Sequence, residues 1–374
     1  ELDRVEYVTF DDATVLAAAR LDPQGFLKGY SGGRLIIDEV QRAPELFRAI
    51  KIVVDRDRKP GRFLLTGSAN LLLLPKIGDS LAGRIEIVRL HPLTESEKAR
   101  RPGAFLGAFL GGTLAPRLSS DTGDAPGELI SRILQGGYPP PLVREASRAR
   151  QWHRQYIQTL VERDVRDVAR VREADELTRL LEMAAIRTAQ LLNLSSLGTE
   201  LGMRRETIDQ YLGILERLFL VRRLPAWHHN EGKRLIKTPK MHIADSGLAA
   251  ALTGWHGEDW LHRRDRIGPF IESFVVQQIM AQATWTDPDL RFWHYRDKDQ
   301  IEVDLVVTRG RKTWGVEVKA SSTVTPADGR GLHRLADQCG RDFQHGIILY
   351  AGASTLPTSD ARILAIPLSE LWTR

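Results

Sequence analysis

"EVDLVVTRGRKTWGVEVKAS", Glu302–Ser321, sets acidic residues and a lysine into a strand, turn, strand pattern. Side chains alternate across a strand with a period of two. Ile301, Val303, Leu305 and Val307 therefore take one side, with Glu302 and Asp304 on the other. On the second strand Trp314, Val316 and Val318 separate in the same way from Glu317 and Lys319. Gly310-Arg311 suits a tight turn with glycine at its first central position. A two-residue or a four-residue loop gives one register, placing Asp304 opposite Glu317 and Glu302 opposite Lys319. The second pair is a cross-strand attraction, whereas the first sets like charges side by side and costs stability. A divalent cation, Mg²⁺ in the first instance, bridging Asp304 and Glu317 would remove that repulsion. Lys319 would then orient or deprotonate a metal-bound water. Glu272, interrupting the apolar face of "GPFIESFVV" (268–276), is a further candidate ligand. The competing reading is an amphipathic hairpin with a charged outer face.

Around the hairpin, residues 266–374 read as helix (268–283), strands (291–297, 301–308, 313–320), helix (328–340) and strand (344–350), an α/β arrangement. Residues 1 to about 90 also alternate strands with helices. The strands are "RVEYVTF", "GRLIIDEV", "GRFLLTGSA" and "RIEIVRL", and the helices are "DATVLAAARL" and "PELFRAIKIVVDRD". Runs apolar enough to be buried on both faces argue a parallel sheet.

In "RLIIDEVQ" (34–41) an apolar strand ends in Asp38-Glu39. A Walker B element has this form: the aspartate is held near Mg²⁺ and the glutamate orients water against a γ-phosphate. An acidic pair closing a strand also serves as a turn or helix cap. The next strand ends in Thr66, Gly67, Ser68 and Asn70, where a polar γ-phosphate sensor would sit, and Arg84 in "SLAGR" is a candidate arginine finger. No G-x-x-x-x-G-K-[ST] occurs in the 374 residues, so the loop that cradles phosphates is expected upstream of Glu1. A degenerate ATPase domain kept as scaffold is the alternative.

Residues 93–127, rich in Gly, Pro and Ser, read as a short helix and a flexible connection. Residues 128–255 read as helical. Within them "DELTRLLEMAAIRTAQLL", "SSLGTELG" and "RRETIDQYLGILERLFL" are spaced like a helix-turn-helix, with "VRRLPAWHHNEGKRLIKTPKMHIAD" as the strands of a wing. Leu197, Leu201, Ile208, Leu212 and Leu215 are its core candidates. Arg204, Arg205, Thr207 and Gln210, opening the second helix, are the candidates to meet phosphates or bases.

The formal charge of +5 is mild, but the basic residues cluster, as in "SRARQWHRQ" and "GMRRE". Such clusters meet phosphates or simply line solvated helix faces. A single cysteine, Cys339, excludes an internal disulfide and a multi-cysteine metal site. No apolar run approaches the roughly 20 residues that span a bilayer. A cytoplasmic protein is expected. Glu1, in place of Met, suggests a chain that begins inside a longer one.

The stretches "LIIDEVQRAPELF", "RFLLTGSANLLLL", "SLAGR", "GGYPPPLVR", "KTPKMHIADSGLAAALTG", "GPFIESFVV" and "IEVDLVV…GVEVKAS" together resemble the prokaryotic predicted AAA+ ATPases of P-loop, STAND-like type with a C-terminal domain of unknown function. The resemblance covers nearly the whole chain. It implies a multidomain α/β protein: an AAA+-like core remnant (1–92), a linker and short helix (93–127), a helical and winged-helix domain (128–255), and a PD-(D/E)XK nuclease-like domain (266–374). By that resemblance Asp38 and Glu39 match the Walker B positions, Asn70 lies near the sensor and Arg84 is the "LAGR" arginine. Asp304, Glu317 and Lys319 match the nuclease aspartate and E-x-K, and Glu272 the helix glutamate. ATP and Mg²⁺ are the implied cofactors, DNA the implied partner, and a homo-oligomer follows if the arginine finger works across subunits. The expected function is an ATPase whose nucleotide state controls a DNA-acting, metal-dependent tail. The alternative is a non-catalytic DNA- or protein-binding regulator that keeps both folds as scaffolds.

Overall fold

The structure, a computed structural model, describes residues 4–67, 81, 83–119, 126–161, 174–228, 238–257, 259 and 264–374. Contacts divide the chain into two compact units. One holds the described residues up to Arg89, and the other those from Leu90 onward, apart from short stretches within 159–174 and 213–219 that go with the first.

The first unit runs β1 (Val5–Thr9), α1 (Ala13–Leu21), α2 (Pro23–Gly29), β2 (Arg34–Asp38), α3 (Leu46–Arg56), β3 (Phe63–Leu65). Its sheet is parallel, in the order β1-β2-β3. Asp12 starts α1 by accepting from the amides of Thr14 and Val15. Asp22 starts α2 by accepting from Gly25, with Pro23 in the first turn where its missing N–H costs nothing. Leu35 and Ile37 of β2 are buried with Leu27, Leu46, Phe47 and Ile50. The expected strand "RIEIVRL" does not form: residues 85–90 have no regular structure, and Ile87, Val88 and Leu90 are exposed. Alternation gives a segment two faces but does not supply the neighbouring strand whose hydrogen bonds would make it one. Ser68 and Asn70 lie outside the described residues.

In the second unit, α4 (Glu95–Lys98) stands where the short helix was expected, and α5 (Phe105–Leu110) lies in the part read as a flexible connection. That reading is corrected. A capping box joins Thr94 and Glu97, and Phe105, Leu106 and Phe109 are buried. The amides of Glu95 and Leu106 donate to the side chains of Gln278 and Gln282 at 2.8 and 3.1 Å. Composition registered the glycines and missed the three apolar anchors between them. The helices α6 (Pro126–Gln135), α7 (Pro139–Leu142) and α8 (Ala146–Thr159) follow.

Next come α9 (Ala174–Ile186), β4 (Gln190–Leu191), α10 (Leu194–Leu201), α11 (Arg205–Arg217), β5 (Val221–Leu224) and β6 (Lys240–Ile243). The three strands form an antiparallel sheet with β6 in the middle. The helix expected through Leu192 stops at Ile186, because Gln190 and Leu191 pair with β6. Three residues separate α10 from α11, and Gly198 lets them close: a Cβ there would lie 2.7 Å from the Met203 carbonyl oxygen. Leu197, Leu201, Ile208, Leu212 and Leu215 are all buried.

The remainder runs α12 (Ser246–Thr253), α13 (Arg264–Thr286), β7 (Arg291–Arg296), β8 (Glu302–Arg309), β9 (Lys312–Lys319), α14 (Arg330–Cys339), β10 (Phe343–Tyr350), β11 (Leu356–Pro357), β12 (Ile363–Pro367) and α15 (Glu370–Thr373). The sheet order is β11-β12-β10-β9-β8-β7. β7, β8 and β9 pair antiparallel; β9, β10 and β12 pair parallel, with α14 as the crossover from β9 to β10. The sequence reading did not anticipate β12. Leu332 and Leu335 of α14 pack on Val303, Val306 and Ile348. A Cβ at Gly331 would sit 1.9 Å from the Glu302 carbonyl oxygen, so glycine is what lets α14 approach β8. The hairpin turn is the two-residue form, with Arg309 opposite Lys312 and Gly310 at φ 55°.

Candidate functional site

The hairpin does not present a charged outer face. Asp304 and Glu317 are 9% and 7% exposed, so both sides of the hairpin are covered at its acidic end. Regular β8–β9 pairing stops at Leu305 opposite Val316. One step further, the Asp304 carboxylate accepts the Val318 amide through Oδ2 at 2.9 Å, taking a donor that would otherwise face the strand.

Sequence reading missed the residue that completes this cluster. Lys240, first residue of β6 and 3% exposed, places its Nζ 2.8 Å from Glu272 Oε1, 3.2 Å from Asp304 Oδ1 and 3.6 Å from Glu302 Oε2. The signal was present in "KTPKMHIAD": a lysine opening a strand whose four residues are all buried must have a counter-charge. The expected Glu302–Lys319 pair is corrected as well. Arg296, opposite Glu302 on β7, takes that carboxylate at 2.9 Å. Lys319 turns to Glu317 on its own strand at 2.8 Å, with Asp328 at 3.9 Å.

Burial and crowding set the electrostatics. Burial first, then the negative charge of Asp304, pushes Glu317 up to about 8, against the pull of Lys319 and Lys240. Glu272 is driven well above the usual carboxylate range by burial and by Asp304. Burial opposes the charge on Lys240, but Asp304, Glu272 and Glu302 outweigh it and hold the ammonium well above the ordinary lysine value. His242, fully buried beside Lys240, is held neutral, with Nδ1 3.0 Å from Ser273 Oγ. Its 4.0 Å approach to Glu272 is therefore not an ion pair.

The like-charge conflict expected between Asp304 and Glu317 is thus real, and an ammonium answers it. Glu272 and Asp304 each give an oxygen to Lys240, and Asp304 gives its other oxygen to Val318. Among the described residues no three His, Cys, Asp or Glu side chains stand as a metal-holding group. As arranged, the expected set Asp304, Glu317 and Glu272 does not fit Mg²⁺. One oxygen stands apart: Glu317 Oε2 is buried without a hydrogen-bond partner.

At the tip of the parallel sheet the acidic strand end is built differently. Asp38 accepts from the Thr66 hydroxyl through Oδ1 and from the Tyr7 hydroxyl through Oδ2, the latter at 2.9 Å. The Thr66 bond, aided by Tyr7 and opposed by burial, holds Asp38 below the usual range. Glu39 follows at φ 56°, a left-handed conformation uncommon outside glycine, with its carboxylate accepting from Gln41 Nε2. An ionised, hydroxyl-braced Asp38 beside Glu39 fits a hydrated Mg²⁺ of a bound nucleotide. Arg84 is engaged elsewhere, by Asp55 of α3, with Nε at 2.5 Å and Nη2 at 3.1 Å.

On α11 and the turn before it, Arg204, Arg205 and Gln210 are exposed and Thr207 is half-buried. Neither arginine forms an ion pair among the described residues. Asp209, by contrast, is tied to Arg223 of β5 at 2.7 Å. The exposed set keeps its donors available.

Residues 1–98 match the AAA domain family. Residues 127–259 match the domain of unknown function DUF8612, and residues 267–371 the domain of unknown function DUF4143. The chain is 32% identical over 368 residues to the uncharacterized protein Rv2008c of Mycobacterium tuberculosis, covering 98% of this chain and 75% of that protein. It is equally similar, over the same shares, to the uncharacterized protein Mb2031c of Mycobacterium bovis. The crystal structure of protein VC1899 from Vibrio cholerae aligns with 96% of this chain and 78% of its own, at 12% identity and a TM-score of 0.22, too low to support any argument.

Proposed function

The chain belongs to the family of AAA-domain proteins that these two mycobacterial relatives represent, an AAA-type, nucleotide-binding ATPase-like protein, and from that premise we propose that its nucleotide state governs a DNA-contacting, non-cutting C-terminal half. Asp38 would hold the Mg²⁺ of ATP and Glu39 would orient the attacking water. An assembly in which Arg84 reaches a neighbouring copy's nucleotide requires it to exchange Asp55 for phosphate.

The order α9, β4, α10, α11, β5, β6 supports a winged helix, with Arg204, Arg205, Thr207 and Gln210 meeting DNA. The order α13, β7, β8, β9, α14, β10 supports a PD-(D/E)XK-like tail. The observation that carries the non-cutting reading is Lys240, whose ammonium takes the oxygens of Glu272 and Asp304 that a catalytic cation would need. A regulator that keeps both folds as scaffolds follows.

Full-length protein incubated with ATP, Mg²⁺ and plasmid or branched DNA tests this. Expected are ATP hydrolysis, salt-dependent DNA binding weakened by Arg204→Ala and Arg205→Ala, and intact DNA. One observation favours a second reading, a Mg²⁺-dependent nuclease: Glu317 keeps a buried oxygen without a partner beside Lys319. Cleavage that disappears in Asp304→Ala and Lys319→Ala would replace the first reading by the second.

A further inference from the structure

The carboxylates of the tail and the lysine that neutralises them belong to different segments of the chain. Lys240 lies 32 residues before Glu272 and 64 before Asp304. It falls in the stretch matching DUF8612, and the carboxylates in the stretch matching DUF4143. We propose that Lys240 is the resident cation of the Glu272, Asp304 and Glu317 cluster, and that its ammonium shuts out divalent metal ions from side chains that would otherwise bind one. The proposal deepens the non-cutting reading of the tail and rests on it only for its consequence, since metal binding is measured without DNA.

Three observations support it. An ammonium has three N–H donors, and three carboxylate oxygens surround Nζ, on Glu272, Asp304 and Glu302 at 2.8, 3.2 and 3.6 Å. Two of the three are hydrogen bonds, to Glu272 and Asp304, and Glu302 at 3.6 Å adds an electrostatic contact, so an ammonium only 3% exposed faces negative charge on three sides. The backbone beneath it is held from both sides: Lys240 pairs with Leu191 of β4 and with Leu224 of β5. The lysine is therefore placed by the middle strand of a sheet and does not reach in from a free end. Lastly, the cluster keeps an acceptor that the lysine does not satisfy, Glu317 Oε2, buried and without a partner. Remove the ammonium, and Glu272 and Asp304 each regain an oxygen, in groups close enough for their charges to act on one another and on Glu317. Three carboxyl groups left together without a counter-charge must take up protons, as burial already favours at Glu272 and Glu317, or bind a cation, and a hard divalent ion with oxygen ligands is the cation that suits them.

The experiment uses full-length protein without nucleotide, with Mn²⁺ as the probe, read by calorimetry and by electron paramagnetic resonance. Lys240→Ala should gain one Mn²⁺ site at least tenfold tighter than any Asp304-dependent site in the unaltered protein. The double variant Lys240→Ala/Asp304→Asn should lose it. Mn²⁺ should raise the melting temperature of Lys240→Ala and leave that of the unaltered protein in place. Lys240→Met, which keeps the buried stem, serves if the alanine variant does not fold. A folded Lys240→Ala or Lys240→Met that gains no site overturns the proposal, as does an Asp304-dependent Mn²⁺ site of equal affinity in the unaltered protein. Either result removes the support that Lys240 gives to the non-cutting reading, whereas that reading itself fails only if DNA is cleaved, so the two failures are distinguishable.

Discussion

Asp38 closes β2 and Asp304 is the third residue of β8, in two different α/β sheets, and the protein answers their charges in opposite ways. Around Asp38 the donors are neutral hydroxyls, Thr66 and Tyr7. They favour the ionised form and leave its charge uncancelled, so a cation can still be added. Around Asp304 the donors are the Lys240 ammonium and the Val318 amide, with Glu317 and Glu272 crowding in. There a cation is already present. Two acidic positions that look alike in sequence thus differ in whether the partner brings charge or only a dipole.

The largest expected break in this comparison is catalytic. In the full-length protein Glu39→Gln should lower ATP hydrolysis by about 10²–10⁴-fold, the usual contribution of a group that activates water. Asp304→Asn should leave the rate unchanged. A steady-state phosphate-release assay decides, and equal losses in the two variants would erase the contrast. Next in size is stability. Lys240→Ala strips the counter-charge from buried carboxylates and should cost about 3–5 kcal/mol in denaturant unfolding. Thr66→Val removes one hydrogen bond to Asp38 and should cost about 1 kcal/mol.

The pH responses should also run in opposite directions. Glu317 titrates near 8 in the fold against an ordinary 4.5, so the folded state holds its proton more tightly than the unfolded one. Its contribution to stability is fully present below about 4.5, is lost as pH rises towards 8, and is flat above. Asp38 is shifted down from 3.8, so its contribution is present above that value and is lost as pH falls. Melting temperatures of Glu317→Gln should show a flatter decline than the unaltered protein between pH 5 and about 8. An unchanged slope would mean that Glu317 is not the group that titrates. The smallest effect is expected from Tyr7→Phe, which removes the second hydroxyl on Asp38 at an exposed position; NMR titration should show the Asp38 value moving up towards normal.

Much of the architecture was legible in the chain. The hairpin, its Gly310-Arg311 turn, the helices on either side and the parallel order of the first strands follow from periodicity, caps and turn chemistry, which act between near neighbours. "RIEIVRL" failed for the complementary reason: its alternation is local, but a strand requires a neighbour, and residues 85–90 find none among the described residues. In 93–127 the short helix formed as read, and the flexible connection failed at α5, where a few buried apolar side chains outweigh many glycines. Of the candidate site, the acidic members and their conflict were readable, whereas Lys240 and the Arg296–Glu302 pair were not.

By itself, then, the sequence determined that Asp304 and Glu317 would face one another across a hairpin as like charges, because strand period and turn length set the register within twenty residues. Only the tertiary structure decided which charge would answer them. Electrostatic pairing depends on distance in space, and β6 carries Lys240 from 64 residues upstream to within 3.2 Å of Asp304.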